Sequence, residues 1–410
     1  MSTPEEGSTV SPSGGTTTTA PAGGMKSSKA APRKRRTLAI VAVLVVLAVI
    51  ASAVAVDYEY YTSSNPCSGV DLGFNSTVAE STASASSSAG SADASSPVVA
   101  QFSPTALAAE SALKARGSAA LPSNNSSDYV IDLVAAENVW GDLVDQIGGN
   151  WTSVTSIITD PNTDPHEYQS NDSDAVALSH AQYIILNNVG YDDWATQLIS
   201  ADGASGQLIL NLGDYLGVSV NGGIVTGNPH LWYNPTYVHD AMIWFTDNLT
   251  AIEPDLATYF MNNYNVVNTS VNQNDSEINT IRADFAGTKV AATESIFVYL
   301  ANATGLDLVS PQSFMEAIAE GNDPPDASVV QFQCQLESGQ VKVLVFNAQT
   351  VTPITTTMKS IAAENNVSVT YVTESVVPPY TNGAPTLTQV WFQSQLQYLY
   401  IALDASQLGN

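Results

Sequence analysis

From Tyr129 onward the chain alternates short β-branched runs with segments of helical period, and this alternation restricts it to the α/β class. Tyr129–Ala136, Val154–Ile158, Tyr183–Asn187 and Leu208–Leu212 read as strands. Asn138–Ile147, Asp174–His180, Asp193–Ile199 and Thr236–Leu249 read as helices. A second round follows, with strands at Lys289–Ala292, Leu306–Ser310, Val341–Phe346 and Val367–Val372, and helices at Ser295–Ala303, Ser328–Leu336, Thr355–Asn365 and Leu387–Leu403. Between the rounds, Leu256–Phe285 contains neither Gly nor Pro. As one helix it would run about 45 Å at 1.5 Å per residue. The simplest assembly has two lobes, each a mainly parallel sheet flanked by helices, joined by one long rigid helix. The expected divisions are an N-terminal α/β lobe at 128–255, the connecting helix at 256–285 and a C-terminal α/β lobe at 286–410.

The first 127 residues have a different texture. Residues 1–36 are Ser/Thr/Gly/Pro-rich and then basic, with Lys26, Lys29, Arg33, Lys34, Arg35 and Arg36 holding half of the chain's 12 basic residues. This composition predicts a disordered cytoplasmic segment. Thr37–Val56 follows without a single charge, long enough to cross a bilayer. Positive charge before it orients the remainder to the outside. The span is expected to anchor the chain in the membrane; a secretory signal cleaved near Ala53-Val54-Ala55, with Met25 as the start, is the rival reading. Either way the bulk of the chain is extracytoplasmic. Residues 57–127, rich in Ser and Ala, read as a flexible tether.

Beyond the span the chain carries 37 acids and 6 bases. Nucleic acid is an unfavourable partner for such a surface, because binding it requires clustered cations. The two cysteines, Cys67 and Cys334, exclude a disulfide-built scaffold and a cysteine-rich zinc module. Cys334 reads as a buried small hydrophobe, and a bond from it to the tether's Cys67 is not favoured.

There are four histidines. Two occur in matching tripeptides, Asp164-Pro165-His166 and Asn228-Pro229-His230, where the proline stiffens the backbone ahead of the imidazole. Glu294 and Glu374 each follow a predicted strand, the edge at which α/β sheets gather ligands. Two imidazoles and two carboxylates make a four-donor set for a divalent cation, provided the lobes face each other. On pattern alone the histidines could equally be surface turn residues, and each glutamate a helix-start carboxylate favoured by the helix dipole. His180 and His239 read as structural or exposed. Asn187, Asp192 and Trp194 read as shaping a helix start.

The stretch AENVWGDLVDQIGGNWTSVTSIITDPNTDPHEY, followed in order by NNVGYDDW, NPHLWYNP, TESIFVYLANATGL, VKVLVFNAQT and VTES, resembles the TroA-like zinc- and manganese-binding solute-binding proteins of ABC importers. The resemblance runs from about Tyr129 to Leu403. It implies one metal held between two lobes by His166, His230, Glu294 and Glu374, with Trp232 and Tyr233 screening the site from water. Many members carry Asp where this chain has Glu374. The histidine-rich loop of some zinc members is absent between Asn211 and Asn228. The implied partners are an ABC permease and its ATPase, with the protein acting as a monomer. The implied cargo is one divalent ion, zinc first, manganese next and iron(II) third, since imidazole suits zinc while carboxylates admit harder ions. Two rivals from other classes are an extracellular metal-dependent hydrolase and a metal-independent surface adhesion protein. Against the hydrolase, four protein ligands leave little room for catalytic water, and neither a His-Glu-x-x-His nor a Gly-x-Ser-x-Gly motif occurs.

Overall fold

The computed structural model describes Cys67 and residues 69–73, 130–160, 162–218, 220–221, 224–225, 227–377 and 387–408. The basic segment 1–36, the apolar span 37–56 and most of the tether 57–127 lie outside the described residues. Within them, no helix is long and apolar enough to cross a membrane.

The first sheet contains β1 (Ile131–Glu137), β2 (Thr152–Ile158), β3 (Tyr183–Leu186) and β4 (Leu208–Asn211), all parallel and ordered β2-β1-β3-β4. β3 is buried along its whole length and β1 at all but one position, which is why both read as continuous apolar runs. α1 (Asn138–Gly148), α2 (Asp172–His180) and α3 (Asp193–Asp202) link these strands. α1 presses closely on the sheet at Gly141, where a Cβ would collide with Ser156 Oγ.

Two helices then lead to the second lobe, α4 (Pro235–Ile252) and the 29-residue α5 (Ala257–Phe285). On α5, Phe260, Val267, Asn274 and Ile281 are buried at every seventh position, accompanied by Asn263, Ser270, Val271, Ile278 and Phe285. That repeat keeps one face inward over the whole length. The inward asparagines are satisfied: Asn263 donates to the Ile147 carbonyl at 3.0 Å and Asn274 to the Gln389 carbonyl at 3.1 Å.

The second sheet repeats the plan with β5 (Lys289–Ala292), β6 (Asp307–Leu308), β7 (Val343–Asn347) and β8 (Ser368–Val372), ordered β8-β7-β5-β6 and again parallel. Its helices are α6 (Val298–Thr304), α7 (Gln312–Ala319), α8 (Asp326–Glu337), α9 (Pro353–Glu364) and α10 (Thr388–Leu408). β6 is shorter than the sequence pattern suggests because the Ser310 hydroxyl takes over the ladder: it accepts from Ala292 N at 2.7 Å and donates to Ala292 O at 2.9 Å. One continuous core runs from Ile131 through α5 to Leu403.

The expectation for Cys334 fails. It is bonded to Cys67, with Cα atoms 5.3 Å apart, and the neighbouring Gln335 Nε2 donates to the Leu72 carbonyl at 2.8 Å. A short part of the tether is therefore fastened along α8. A cysteine in a Ser/Ala-rich tether is a poor geometric prospect for a bond on sequence grounds, because such a segment gives no local sign of a docking point.

Candidate metal centre

His166 lies in the loop between β2 and α2, in a one-turn helix Pro165–Glu167. Asp164 Oδ1 accepts from His166 N at 3.0 Å, so the turn is capped by the residue before the proline. His230 precedes the turn Leu231–Tyr233 that leads into α4. Its Nδ1 donates to Asn228 Oδ1 at 2.7 Å. That bond fixes the tautomer, leaving Nε2 as the free donor atom. Asn228 Nδ2 in turn donates to the Ser295 carbonyl at 2.6 Å, tying this loop to the second lobe. The adjacent Pro229 carbonyl accepts from Asn187 Nδ2 at 2.8 Å.

Glu294 follows β5 and precedes the turn Ser295–Phe297, yet its side chain makes no cap hydrogen bond. Glu294 thus stands at the N-cap position of that turn without capping it, and its Oε1 faces His230 Nε2 instead. Glu374 follows β8, in a bend that no helix continues. Both carboxylates are buried, as is His230, and His166 is 11 % exposed.

These four side chains converge. His166 Nε2 is 3.2 Å from His230 Nε2, 3.3 Å from Glu374 Oε2 and 3.9 Å from Glu294 Oε1. His230 Nε2 is 3.3 Å from Glu294 Oε1 and 3.7 Å from Glu374 Oε2. Ligands of a tetrahedral zinc at about 2.0–2.1 Å stand roughly 3.3–3.5 Å from one another; the donor atoms of His166, His230 and Glu294 lie within 4.8 Å of one another, a group that could hold a metal ion, and Glu374 Oε2 stands beside both histidines. His180 and His239 have other partners. His180 Nδ1 faces the Val176 carbonyl at 2.8 Å, while His239 joins α4 to α5 through Asp275 at 2.7 Å and Asn268 at 3.0 Å.

Burial penalises charge here, and the cluster answers with pairing. On its own, burial would lower the His166 pKa. The hydrogen-bonded Glu374 carboxylate, then Glu294 and Asp164, outweigh it and lift the imidazole to about 9. Burial would raise Glu374, but His166 and then His230 hold it well below the usual carboxylate range. Glu294 is raised, first by burial, with Glu374 adding to the effect against the pull of His230 and His166.

Several supporting residues carried no sequence signal of their own. Asn347, the last residue of β7, donates from Nδ2 to Glu294 Oε2 at 2.6 Å and to Glu374 Oε1 at 2.7 Å. Thr350 Oγ1 donates to the same Glu374 oxygen at 3.0 Å. Tyr191 OH donates to Glu374 Oε2 at 2.6 Å and its ring stands edge-on to His166. Tyr191 is presented by a tight loop in which Asn188 and Val189 both take positive φ, 62° and 60°, an unfavourable state for a β-branched residue. Asp192 offsets that strain by accepting from Asn187 N at 2.7 Å and Asn188 N at 2.8 Å. Trp232 stacks edge-on against His230 and Tyr191. Tyr233 donates to Gln395 Oε1 and the Thr373 carbonyl. Both aromatics are buried, so they wall the cluster and fill the core at once.

Fold and cluster together define a class: a two-lobed α/β binding protein with one buried imidazole, one partly exposed imidazole and a buried pair of carboxylates where its two sheets meet. The family model of the periplasmic zinc-uptake complex component A, ZnuA, matches residues 133–393, more than half of the chain, and the chain belongs to that family. It is 28% identical over 156 residues to a manganese-binding lipoprotein, MntA, of Halalkalibacterium halodurans; the match covers 37% of this chain and spans about half the length of that relative. Among solved structures it resembles ZnuA at 18% identity and a TM-score of 0.54, covering 68% of this chain and 98% of that one. It also resembles the periplasmic zinc-binding protein TroA of Treponema pallidum at 12% identity and a TM-score of 0.57, covering 67% and 99%. At these identities the structural likenesses speak for the fold.

Proposed function

We propose that this chain captures one divalent transition-metal ion between its lobes, outside the cytoplasm, and delivers it to the permease of an ABC importer with its ATPase. The observation that carries the proposal is the set of four donor atoms from four separate segments, two imidazole nitrogens and two carboxylate oxygens, at 3.2–3.9 Å across each histidine contact. His166, His230, Glu294 and Glu374 are the ligands in this reading. Zinc is the leading cargo, supported by the family's description as a zinc-uptake component and by a donor spacing that suits a tetrahedral ion. Manganese follows, supported by the manganese-binding relative. The protein works as a carrier and not as an enzyme, because four protein donors leave no evident position for an attacking water. The uncharged run 37–56 anchors the chain, and the lobes divide at the long helix, with 128–255 before it and 286–410 after it.

Calorimetric titration of the full-length protein with zinc tests the reading. His166→Ala and His230→Ala should each lower affinity sharply while the metal-free protein remains folded. Unchanged affinity in both would remove the site.

A further inference from the structure

The cluster's two carboxylates each have one oxygen facing the histidines and one facing away. The outward oxygens, Glu294 Oε2 and Glu374 Oε1, have one partner in common: the side-chain amide of Asn347, at 2.6 and 2.7 Å. An amide nitrogen has two N–H groups, so each carboxylate receives one. The amide is held in this orientation by Gln349 N, which donates to Asn347 Oδ1 at 3.0 Å, and the backbone of Asn347 is fixed by its own N–H donating to Thr293 Oγ1 at 3.1 Å. Asn347 is fully buried, so no water competes for these bonds.

We propose that Asn347 sets the coordination number of the site and thereby favours zinc over manganese; this rests on the ligand assignment made above. With its second oxygen held by the amide, each carboxylate offers a single oxygen, and the shell closes at two nitrogens and two oxygens. Zinc accepts four tetrahedral ligands. Manganese does better with more, and harder, donors, typically six in octahedral array. A carboxylate released from Asn347 can bind through both oxygens and raise the count. The two carboxylates are not equally released. Glu374 Oε1 keeps a second donor, the Thr350 hydroxyl, whereas the outward oxygen of Glu294 depends on Asn347. Loss of Asn347 should therefore free Glu294 first, and further loss of Thr350 should free Glu374. Asn347 is a positioning residue here, acting on the cation through the two glutamates.

The test uses full-length protein stripped of metal, with cobalt(II) as spectroscopic probe and zinc and manganese titrated in competition. Four-coordinate cobalt absorbs visible light far more strongly than five- or six-coordinate cobalt. Wild type should give the strong band. Asn347→Ala should weaken that band and reduce the preference for zinc over manganese by about tenfold or more, within the range typical of residues supporting metal ligands. Adding Thr350→Val should extend both changes. Asn347→Ser, whose short hydroxyl cannot reach both carboxylates, provides a second and gentler variant with the same expected direction. A strong band and an unchanged zinc-to-manganese ratio in a folded variant would overturn the proposal, as would equal weakening of every metal with the spectrum intact. Wild type that binds none of the three ions would instead sink the ligand assignment itself.

Discussion

Asn228 offers a direct test of how the cluster is aimed. Its Oδ1 accepts from His230 Nδ1 at 2.7 Å and from His230 N at 3.0 Å, while its Nδ2 holds the Ser295 carbonyl next to Glu294 at 2.6 Å. Asn228→Ala removes all three at once. His230 Nε2 would then no longer be fixed as the free donor, and the loop carrying it would lose its tie to the loop carrying Glu294. Residues that orient a metal-bound histidine typically contribute about 10–100-fold in affinity, equivalent to roughly 1.4–2.7 kcal/mol. The zinc dissociation constant should rise by that factor in calorimetry, with a metal-free circular dichroism spectrum like that of wild type. An affinity within twofold of wild type in a folded variant would refute the claim that this bond sets the tautomer and orientation.

Protons should compete with the metal at His166. Its pKa near 9 stands above the ordinary value of about 6.5, so at neutral pH the metal-free imidazole carries a proton that binding must displace. Affinity should climb about tenfold per pH unit through neutrality and level off above about pH 9, as read by titration across pH. The same shift has the opposite sign for the metal-free fold: its stabilisation is complete below about pH 6.5 and is lost as pH rises through 9, as melting curves would reveal. Phe260→Ala on α5, at a fully buried position, should destabilise the protein by about 3–5 kcal/mol in denaturant titration. Cys67→Ser opens a bridge spanning 267 residues; on chain-entropy grounds it should lower stability by up to about 5 kcal/mol. In wild type cleaved between residues 74 and 127, the two fragments should separate on electrophoresis only after reduction.

The layered architecture was legible because its signals are local. β1, β3 and β7 are buried strands whose apolar runs announce themselves, and α5 lacks any residue that would break it. α7 leaves little trace in the sequence because its eight residues bury only Phe314, Met315, Ile318 and Ala319, too short a stretch for a helical period to show. Of the site, His166 and His230 could be singled out from residue types, since a proline before each of two histidines is a local pattern. Glu294 and Glu374 were weaker candidates: each follows a predicted strand, but 80 positions separate them and each by itself looks like a helix-start carboxylate. The resemblance of the ordered motifs is what favours them over that plainer reading.

Asn347 and Tyr191 illustrate why the remainder stayed hidden. An asparagine at a strand end and a tyrosine in a loop are ordinary residues, and their roles depend on a partner brought in by the other strand or the other lobe. Tyr191 reaches Glu374 across 183 positions, and Gln349 reaches the Thr163 carbonyl across 186. Asn138, at the start of α1, exchanges two hydrogen bonds with Val376 at 2.9 and 3.0 Å. These contacts are the means by which the lobes hold register around the cluster. They are polar and specific, since a buried carboxylate left without donors costs far more than an apolar gap. Apolar periodicity encodes the two sheets, whereas the position of the four donor atoms is encoded in single polar residues, where a pattern search has nothing to repeat.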